Sequence, residues 1–202
     1  MHSRRIWIGT GFLCLGLVSC AVMSPQECQL ANWREIGRMD GLAGKPLAFF
    51  DERRNECAEA DVHADTQGYL SGREQGLRSY CQIGNALQLG LRGESYEGVC
   101  PPPMDPEFRR RHRIGFDVHR FREEVAQLDN RSESLERRLH SREHELERHL
   151  NDADKNDERR HLRQEFENEQ HRIREEQRDI DRSLQRARDQ LRAAEWAMDQ
   201  LR

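Results

Sequence analysis

The composition of the chain changes abruptly at Pro101–Pro103. All cysteines and all but one of the glycines lie before these prolines, and Gly115 is the only glycine after them. A run of prolines interrupts regular structure because proline lacks a backbone N–H and restricts the residue before it. We therefore expect two parts of different kinds, a Cys/Gly-rich helical domain over residues 20–101 and a charged segment over residues 102–202.

The charged segment has the pattern of long helices. It opens with Asp105, Pro106 and Glu107, which suit the N-cap, the first helical position and the first turn. Apolar residues then recur every three or four positions in two runs, from Ile114 to Leu146 and from Phe166 to Leu201. This spacing is typical of coiled-coil seams.

The two runs are separated by residues 151–157, which are rich in turn and cap formers. Heptads counted from Ile114 reach position 163, whereas the second run needs position 166, so the two seams are out of phase. Two arms of about 45 residues, or about 65 Å each, predict an antiparallel helical hairpin that turns near residues 151–157. The alternative is one stuttered helix of about 145 Å that pairs with other chains.

The Cys/Gly-rich domain is predicted to contain three short helices. A capping box that starts at Ser24 opens the first helix, which extends to about Gly44. The second helix covers residues 51–62 and the third residues 66–82. Residues 84–100 are expected to form an irregular segment that folds back over the helices, because glycines interrupt it.

Two of these helices carry glycines on one face, although a glycine within a helix costs about 1 kcal/mol relative to alanine. A face without side chains allows two helix backbones to approach closely while flanking aromatic residues fill the edges. The glycines do not open a helix after a strand, so the pattern does not indicate a phosphate-binding loop. The two faces are Trp33, Gly37, Asp40, Gly41 and Gly44, and Tyr69, Gly72, Gly76 and Tyr80.

The first nineteen residues have the features of a secretory signal. Arg4 and Arg5 precede an apolar stretch of about 13 residues, which is shorter than the ~20 residues that span a bilayer. Leu17–Cys20 resembles the lipobox of bacterial lipoproteins, in which the signal is cut before an acylated cysteine. Cys20 is therefore the expected lipid anchor, and a signal without lipidation is the alternative. Ala21 stands where an aspartate would indicate inner-membrane retention, so we expect the periplasmic face of the outer membrane.

Export places the remaining cysteines in an oxidising compartment. With Cys14 in the signal and Cys20 acylated, an even set of four is left, which favours two disulfides. Structural zinc is the alternative, but zinc ligands form close C-x2–4-C pairs, whereas the gaps here are 29, 24 and 19 residues. Three pairings are possible, and an up-down-up helical arrangement favours Cys28 with Cys57 and Cys81 with Cys100.

Three motifs occur between Cys28 and Pro101. They are Trp33-x3-Gly37-x2-Asp40-Gly41-x2-Gly44, then Tyr69-x2-Gly72-Arg73-x2-Gly76-Leu77-x2-Tyr80-Cys81, and then Gly90-x2-Gly93-x2-Tyr96-x-Gly98-Val99-Cys100-Pro101. Together they resemble a family of small bacterial lipoproteins known as a domain of unknown function. The resemblance implies an envelope lipoprotein without an assigned activity, and it supplies no catalytic residue.

Asp40 is a candidate for chemistry because the glycine face would bury it. A buried carboxylate could serve as a general acid or base, whereas an ion pair with Arg73 on the facing helix would fix the helix register. We expect the ion pair. His63, and the pair His140 and His144 at helical spacing, are expected to be solvated surface residues rather than metal ligands, and no cofactor is predicted.

Residues 108–122 hold the basic patch of the sequence, with arginines interleaved among three phenylalanines. Cations at a helix start interact unfavourably with the helix dipole, so the arginines do not serve the helix itself. They could instead bind anionic headgroups or an acidic partner. The alternative, slightly favoured, is a solvated helix face balanced by acids of the returning arm such as Glu195 and Asp199. The first arginines of the patch are Arg109, Arg110, Arg111 and Arg113.

Without Arg4 and Arg5, 31 Lys+Arg face 37 Asp+Glu, which gives a formal net charge of −6. This acidic balance argues against nucleic-acid binding, which depends on phosphate neutralisation. The chain has no Walker loop, Gly-x-Ser-x-Gly or His-Glu-x-x-His motif. We therefore expect a non-enzymatic, membrane-anchored envelope lipoprotein whose coiled coil is a spacer or docks an unknown envelope protein. The alternatives are a homo-oligomer built through the coiled coil, and an enzyme or enzyme activator that acts on cell wall or lipid through Asp40 or Glu74.

Overall fold

The computed structural model describes residues 23–152 and 155–201. The predicted signal and Cys20 lie outside these residues. The chain is all-α, and no strand occurs in the described ranges. Its helices are α1 (Pro25–Leu30), α2 (Trp33–Leu42), α3 (Ala48–Glu59), α4 (Thr66–Tyr80), α5 (Ile83–Leu91), α6 (Asp105–Asp152) and α7 (Asn156–Asp199).

The first predicted helix is divided into α1 and α2. Ser24 and Glu27 form the predicted capping box at the start of α1. Ala31 is extended and ends α1, and the side chain of Asn32 then accepts a hydrogen bond from a backbone N–H in the first turn of α2. The expectation of one continuous helix to Gly44 is wrong because Asn32 provides a second N-cap.

Helices α2 and α4 cross at the two glycine faces. A Cβ atom added to Gly37 would lie 2.0 Å from the carbonyl oxygen of Tyr69. A Cβ atom added to Gly72 would lie 1.8 Å from the carbonyl oxygen of Arg34. No side chain fits at these distances, so the crossing requires glycine on both helices. This confirms the prediction that the glycine faces bring two backbones together.

A second glycine crossing joins α5 to the start of α6. A Cβ atom on Gly90 would lie 2.2 Å from the carbonyl oxygen of His112, and one on Gly115 would lie 2.4 Å from that of Leu87. The expectation that residues 84–100 are irregular is therefore wrong for α5. Gly90 is a helix contact position, as Gly37 is in α2 and Gly72 in α4.

Two hydrophobic cores lie towards the two ends of α4, and each contains one disulfide. The first core packs Trp33, Phe50 and Tyr69 around the Cys28–Cys57 bond. The second core packs residues of α4 and α5 around the Cys81–Cys100 bond. This is the pairing favoured from the sequence.

The first turns of α6 belong to the second core. Phe108 is fully buried there, beside Leu77 and Tyr80 of α4. The first turns of α6 therefore follow the boundary expected at Pro101–Pro103, but they pack with the shorter helices that precede it. We call residues 23–117 the head.

Beyond the head, α6 and α7 run antiparallel as the two arms of a hairpin. With 48 and 44 residues, these helices are about 72 Å and about 66 Å long. The arms bury Leu135, Ile173 and Ile180 between them, with Leu128 and Leu139 packed alongside. The structure thus has the predicted architecture, a disulfide-stapled helical domain followed by a long helical hairpin.

Ion pairs between the arms set their register. Glu169 is central: only 12% of its side chain is exposed, and it accepts hydrogen bonds from Arg138 at 2.7 Å and Arg142 at 2.8 Å. These hydrogen bonds, with that from Arg138 the stronger, lower the pKa of Glu169. Further pairs join the arms at Arg122–Glu195, Asp129–Arg188 and Arg131–Glu176.

Acid is expected to loosen the hairpin through Glu169. Because its pKa is lower in the folded chain, the ion pairs stabilise the hairpin above the unfolded pKa of about 4.3. That stability is lost as the pH falls through the folded pKa. Glu169→Gln should cost about 1 kcal/mol at neutral pH, the upper range for exposed ion pairs, and should respond less to acid than the wild type.

Thermal unfolding followed by circular dichroism at pH 7 and in acid measures both effects. Glu133→Gln is the matched control, because Glu133 is exposed and pairs with Arg137 of its own helix at 3.4 Å rather than with the other arm. Equal acid responses of wild type and Glu169→Gln would contradict this role of Glu169.

Candidate functional site

Asp40 is the buried charged residue of the head, with 3% of its surface exposed. The crossing of α2 and α4 places it against α3. Its carboxylate accepts hydrogen bonds from Arg53 of α3 and, at 2.9 Å, from the hydroxyl of Tyr69 of α4. The Nζ atom of Lys45, just beyond α2, lies 3.4 Å from the other carboxylate oxygen. One side chain therefore ties together three helices and the turn after α2.

In the described chain, the predicted ion pair between Asp40 and Arg73 is replaced by these contacts. Arg73 instead donates a hydrogen bond of 2.8 Å to the carbonyl oxygen of Lys45. The reason is the position of α3, which brings Arg53 to the carboxylate that Arg73 was expected to reach. Arg73 still links α4 to the end of α2, through the backbone.

Both oxygens of Asp40 are used to hold helices together. Burial, and next the hydrogen bond to Asp40, raise the pKa of Tyr69, so its phenol stays protonated and remains a donor. Glu74, the other carboxylate considered for chemistry, is exposed and pairs with Arg78 within α4 at 2.8 Å. The arrangement around Asp40 is that of a structural ion network.

The basic patch is paired largely within α6. Arg109 donates to Asp105 at 2.6 Å, and Arg110 and Arg111 donate to Glu107 at 2.7 Å and 2.8 Å. Hydrogen bonds from Arg110 and then Arg111 lower the pKa of Glu107 to about 2. Acids of the same helix therefore neutralise these arginines, whereas the sequence suggested acids of the returning arm.

Arg113 is the member of this patch without a carboxylate partner among residues 23–152 and 155–201. The returning arm contributes a partner further along, where Arg122 donates to Glu195 at 2.8 Å. Arg113 lies at a small surface cleft. The cleft has a volume of about 240 Å³ and is lined by Tyr96, Arg109, His112, Arg113 and Phe116.

An exposed apolar surface lies near the point where the described chain begins. Leu30, the last residue of α1, has 86% of its surface exposed, although leucine is usually buried. It borders a shallow cleft of about 640 Å³ whose apolar walls are Met23, Ala31 and Ile36. Sequence reasoning missed Leu30, because a continuous first helix gave no reason to expect it outside the core.

Trp196 is a second large apolar residue outside the cores, with 67% of its surface exposed near the end of α7. Ala194 is buried in the seam, so Trp196 lies off the seam face. Tryptophan is enriched among residues that dominate protein interfaces. The sequence indicates this exposure, since the apolar spacing of the seam runs from Ala194 to Met198 and does not include Trp196.

No helix in the described part of the chain is long and apolar enough to cross a membrane. Within the same residues, no group of three or more His, Cys, Asp or Glu side chains is placed to hold a metal ion. Near His63, which is exposed, Asp65 caps α4 by accepting a hydrogen bond of 2.8 Å from the Gly68 N–H.

Comparison with protein families gives a match to the head. No curated protein and no solved structure matches the chain. The matched region begins at the N-cap of α2 and ends in α6, so it contains both glycine crossings and the Asp40 network. Most of the hairpin lies outside it. Residues 32–117 match the model of the family described as Protein of unknown function (DUF2799).

Proposed function

We propose that this protein is a non-enzymatic lipoprotein of the bacterial cell envelope. Acylated Cys20 anchors it, the head lies against a membrane, and the hairpin docks a partner protein. The periplasmic face of the outer membrane is the proposed location. The observation that carries the proposal is the pair of disulfides, Cys28–Cys57 and Cys81–Cys100, one in each core of the head.

The disulfides support export because the bacterial cytosol keeps thiols reduced. Both bonds lie within buried clusters rather than on a surface loop, so the head depends on them for its two cores. Each is expected to contribute about 3 kcal/mol. A domain built in this way suits the periplasm.

The position of the head near the membrane follows from the length of chain available. Cys20 precedes Met23 by three residues, which reach at most about 11 Å when fully extended. The Met23 N–H donates a hydrogen bond of 2.8 Å to Glu56, which ties the start of the described chain to α3. Acyl chains on Cys20 would therefore hold α1 close to the headgroups, where exposed Leu30 can enter the apolar layer.

The docking role is supported by the burial of the apolar seam between the two arms of the hairpin. The two arms bury their apolar residues against each other, so they do not need a second chain to cover Leu135, Ile173 and Ile180. What they present outwards is a charged surface of both signs, together with Trp196. A mixed-charge surface with one exposed tryptophan suits a protein partner.

Photo-crosslinking in intact cells tests the two contacts separately. We expect a photoreactive residue at position 30 to crosslink to lipid, and one at position 196 to give an adduct with one envelope protein. Position 78 is the control, because Arg78 is 74% exposed on the head and takes part in neither proposed contact.

A different result would contradict each of the two proposed contacts. If a photoreactive residue at position 30 labelled lipid no more than one at position 78, the head would not face the membrane as proposed. If a photoreactive residue at position 196 gave no adduct, the proposed docking role would be wrong. An adduct between two copies of this chain would replace docking with a homo-oligomer.

A further inference from the structure

His140 and His144 face each other on the outer surface of α6. Their spacing of four residues places both on one side of the helix. Their Nε2 atoms lie 3.1 Å apart, and the ring centroids are 4.4 Å apart with nearly perpendicular planes. With neutral rings, one Nε2 must donate a proton while the other accepts it.

The separation of the two nitrogens fits the size of a transition-metal ion. Zinc binds histidine nitrogen at about 2.0–2.1 Å, so one ion bound to both Nε2 atoms would give an N–Zn–N angle of about 100°. That angle lies close to the tetrahedral value. Two histidines four residues apart on a helix are also the spacing through which helical zinc sites chelate the metal.

The other nitrogen of His144 has a neighbour that suits a ligand. Its Nδ1 atom lies 3.8 Å from a carboxylate oxygen of Glu147. Metal-binding histidines commonly direct their second ring nitrogen to a carboxylate, which fixes the ring and keeps the lone pair on the coordinating nitrogen. The site lies at the surface, and 62% of the His144 side chain is exposed, so an ion can reach both rings from solvent.

We propose that His140 and His144 form a two-histidine site for a divalent transition metal such as Zn²⁺. Water completes the coordination, and the Glu147 carboxylate lies near the second ring nitrogen of His144. The inference rests neither on the proposed lipid anchor nor on docking at Trp196. Because imidazole nitrogen suits zinc, nickel and copper rather than magnesium or calcium, the site selects transition metals by ligand type.

Isothermal titration of the purified full-length chain with Zn²⁺ tests the proposal. We expect one saturable site per chain, no binding of Mg²⁺, and at least a tenfold loss of Zn²⁺ affinity in both His140→Gln and His144→Gln. Each single change leaves one imidazole, so the double variant should be little weaker than either. Long-range ¹⁵N NMR should show Zn²⁺ shifting the Nε2 signals of these two histidines together.

His161→Gln and His171→Gln are the matched controls. Both histidines are exposed on α7, and each has a glutamate four residues later, at 3.7 Å and 3.6 Å, but no second imidazole contacts either ring within the described ranges. Zn²⁺ affinity unchanged in these controls supports the pair. Affinity lost equally in a control, or a wild type that binds Zn²⁺ no better than the double variant, would overturn it.

Discussion

Gly72→Ala is expected to destabilise the head by at least about 3 kcal/mol, the upper range for overpacking a well-packed core. The new Cβ atom would lie 1.8 Å from the carbonyl oxygen of Arg34. That oxygen belongs to the backbone of α2, so the clash cannot be relieved by rotation of a side chain. Helices α2 and α4 would have to separate, which would open the contact that also buries Asp40. Urea denaturation followed by circular dichroism measures the loss.

Gly84→Ala is the control for the same substitution. Gly84 lies in α5, and no atom would come within 4 Å of its added Cβ atom. Alanine there should stabilise the protein by up to about 1 kcal/mol, because it is a better helix former than glycine. A Gly72→Ala protein as stable as Gly84→Ala would show that α2 and α4 do not cross as described.

Asp40→Ala is expected to have the second-largest effect, a loss of about 3 kcal/mol in the free energy of unfolding. The change removes the carboxylate that contacts Arg53, Lys45 and the Tyr69 hydroxyl, so these three groups lose that contact. Removing one partner of a buried ion network costs more than the network itself contributes, because the remaining charges stay desolvated.

Asp51→Ala provides the comparison. Asp51 pairs with Arg54 within α3 at 3.0 Å, and its side chain is 49% exposed, so its removal should change stability by less than about 0.5 kcal/mol. Chemical denaturation of both variants gives the contrast. If Asp40→Ala were as stable as Asp51→Ala, the carboxylate would have no structural role and a catalytic one would become the better explanation.

Local signals were sufficient to predict the helical class, the hairpin and the first glycine crossing. Capping residues, such as the Ser24 box, act within a few residues of the chain and can be recognised without knowledge of the fold. The 3–4 spacing of apolar residues likewise predicts the hairpin seam at Leu135, Ile173 and Ile180. The glycine faces of α2 and α4 were interpretable because aromatic residues flank both.

Contacts between distant segments could not be predicted in the same way. Gly90 and Gly115 meet although the chain between them includes four prolines, and neither position carries a local sign of its partner. The partner of Asp40 depends on where α3 packs, so the expectation of Arg73 on the facing helix misses the contact that Arg53 makes. The exposure of Leu30 likewise depends on how α1 packs against the other helices, which its local sequence does not specify.

Local and distant charges compete for the arginines of the basic patch. The sequence places Asp105 and Glu107 three or four residues before the arginines, which is the spacing of side-chain pairs within a helix. These short-range pairs form whatever the other arm does. They leave Arg113 as the unpaired cation of the patch among the described residues, and Arg122 as the position that reaches the returning arm.

Intact mass measurement of the protein purified from native membranes tests the central proposal most directly. We predict a chain that begins at Cys20, carries two or three acyl chains, and has no thiol that reacts with an alkylating reagent until a reductant is added. After reduction, Cys28, Cys57, Cys81 and Cys100 should all react. A chain that begins at Met1, carries no lipid and reacts at these four thiols without reductant would contradict both the membrane anchor and the disulfide-stapled head.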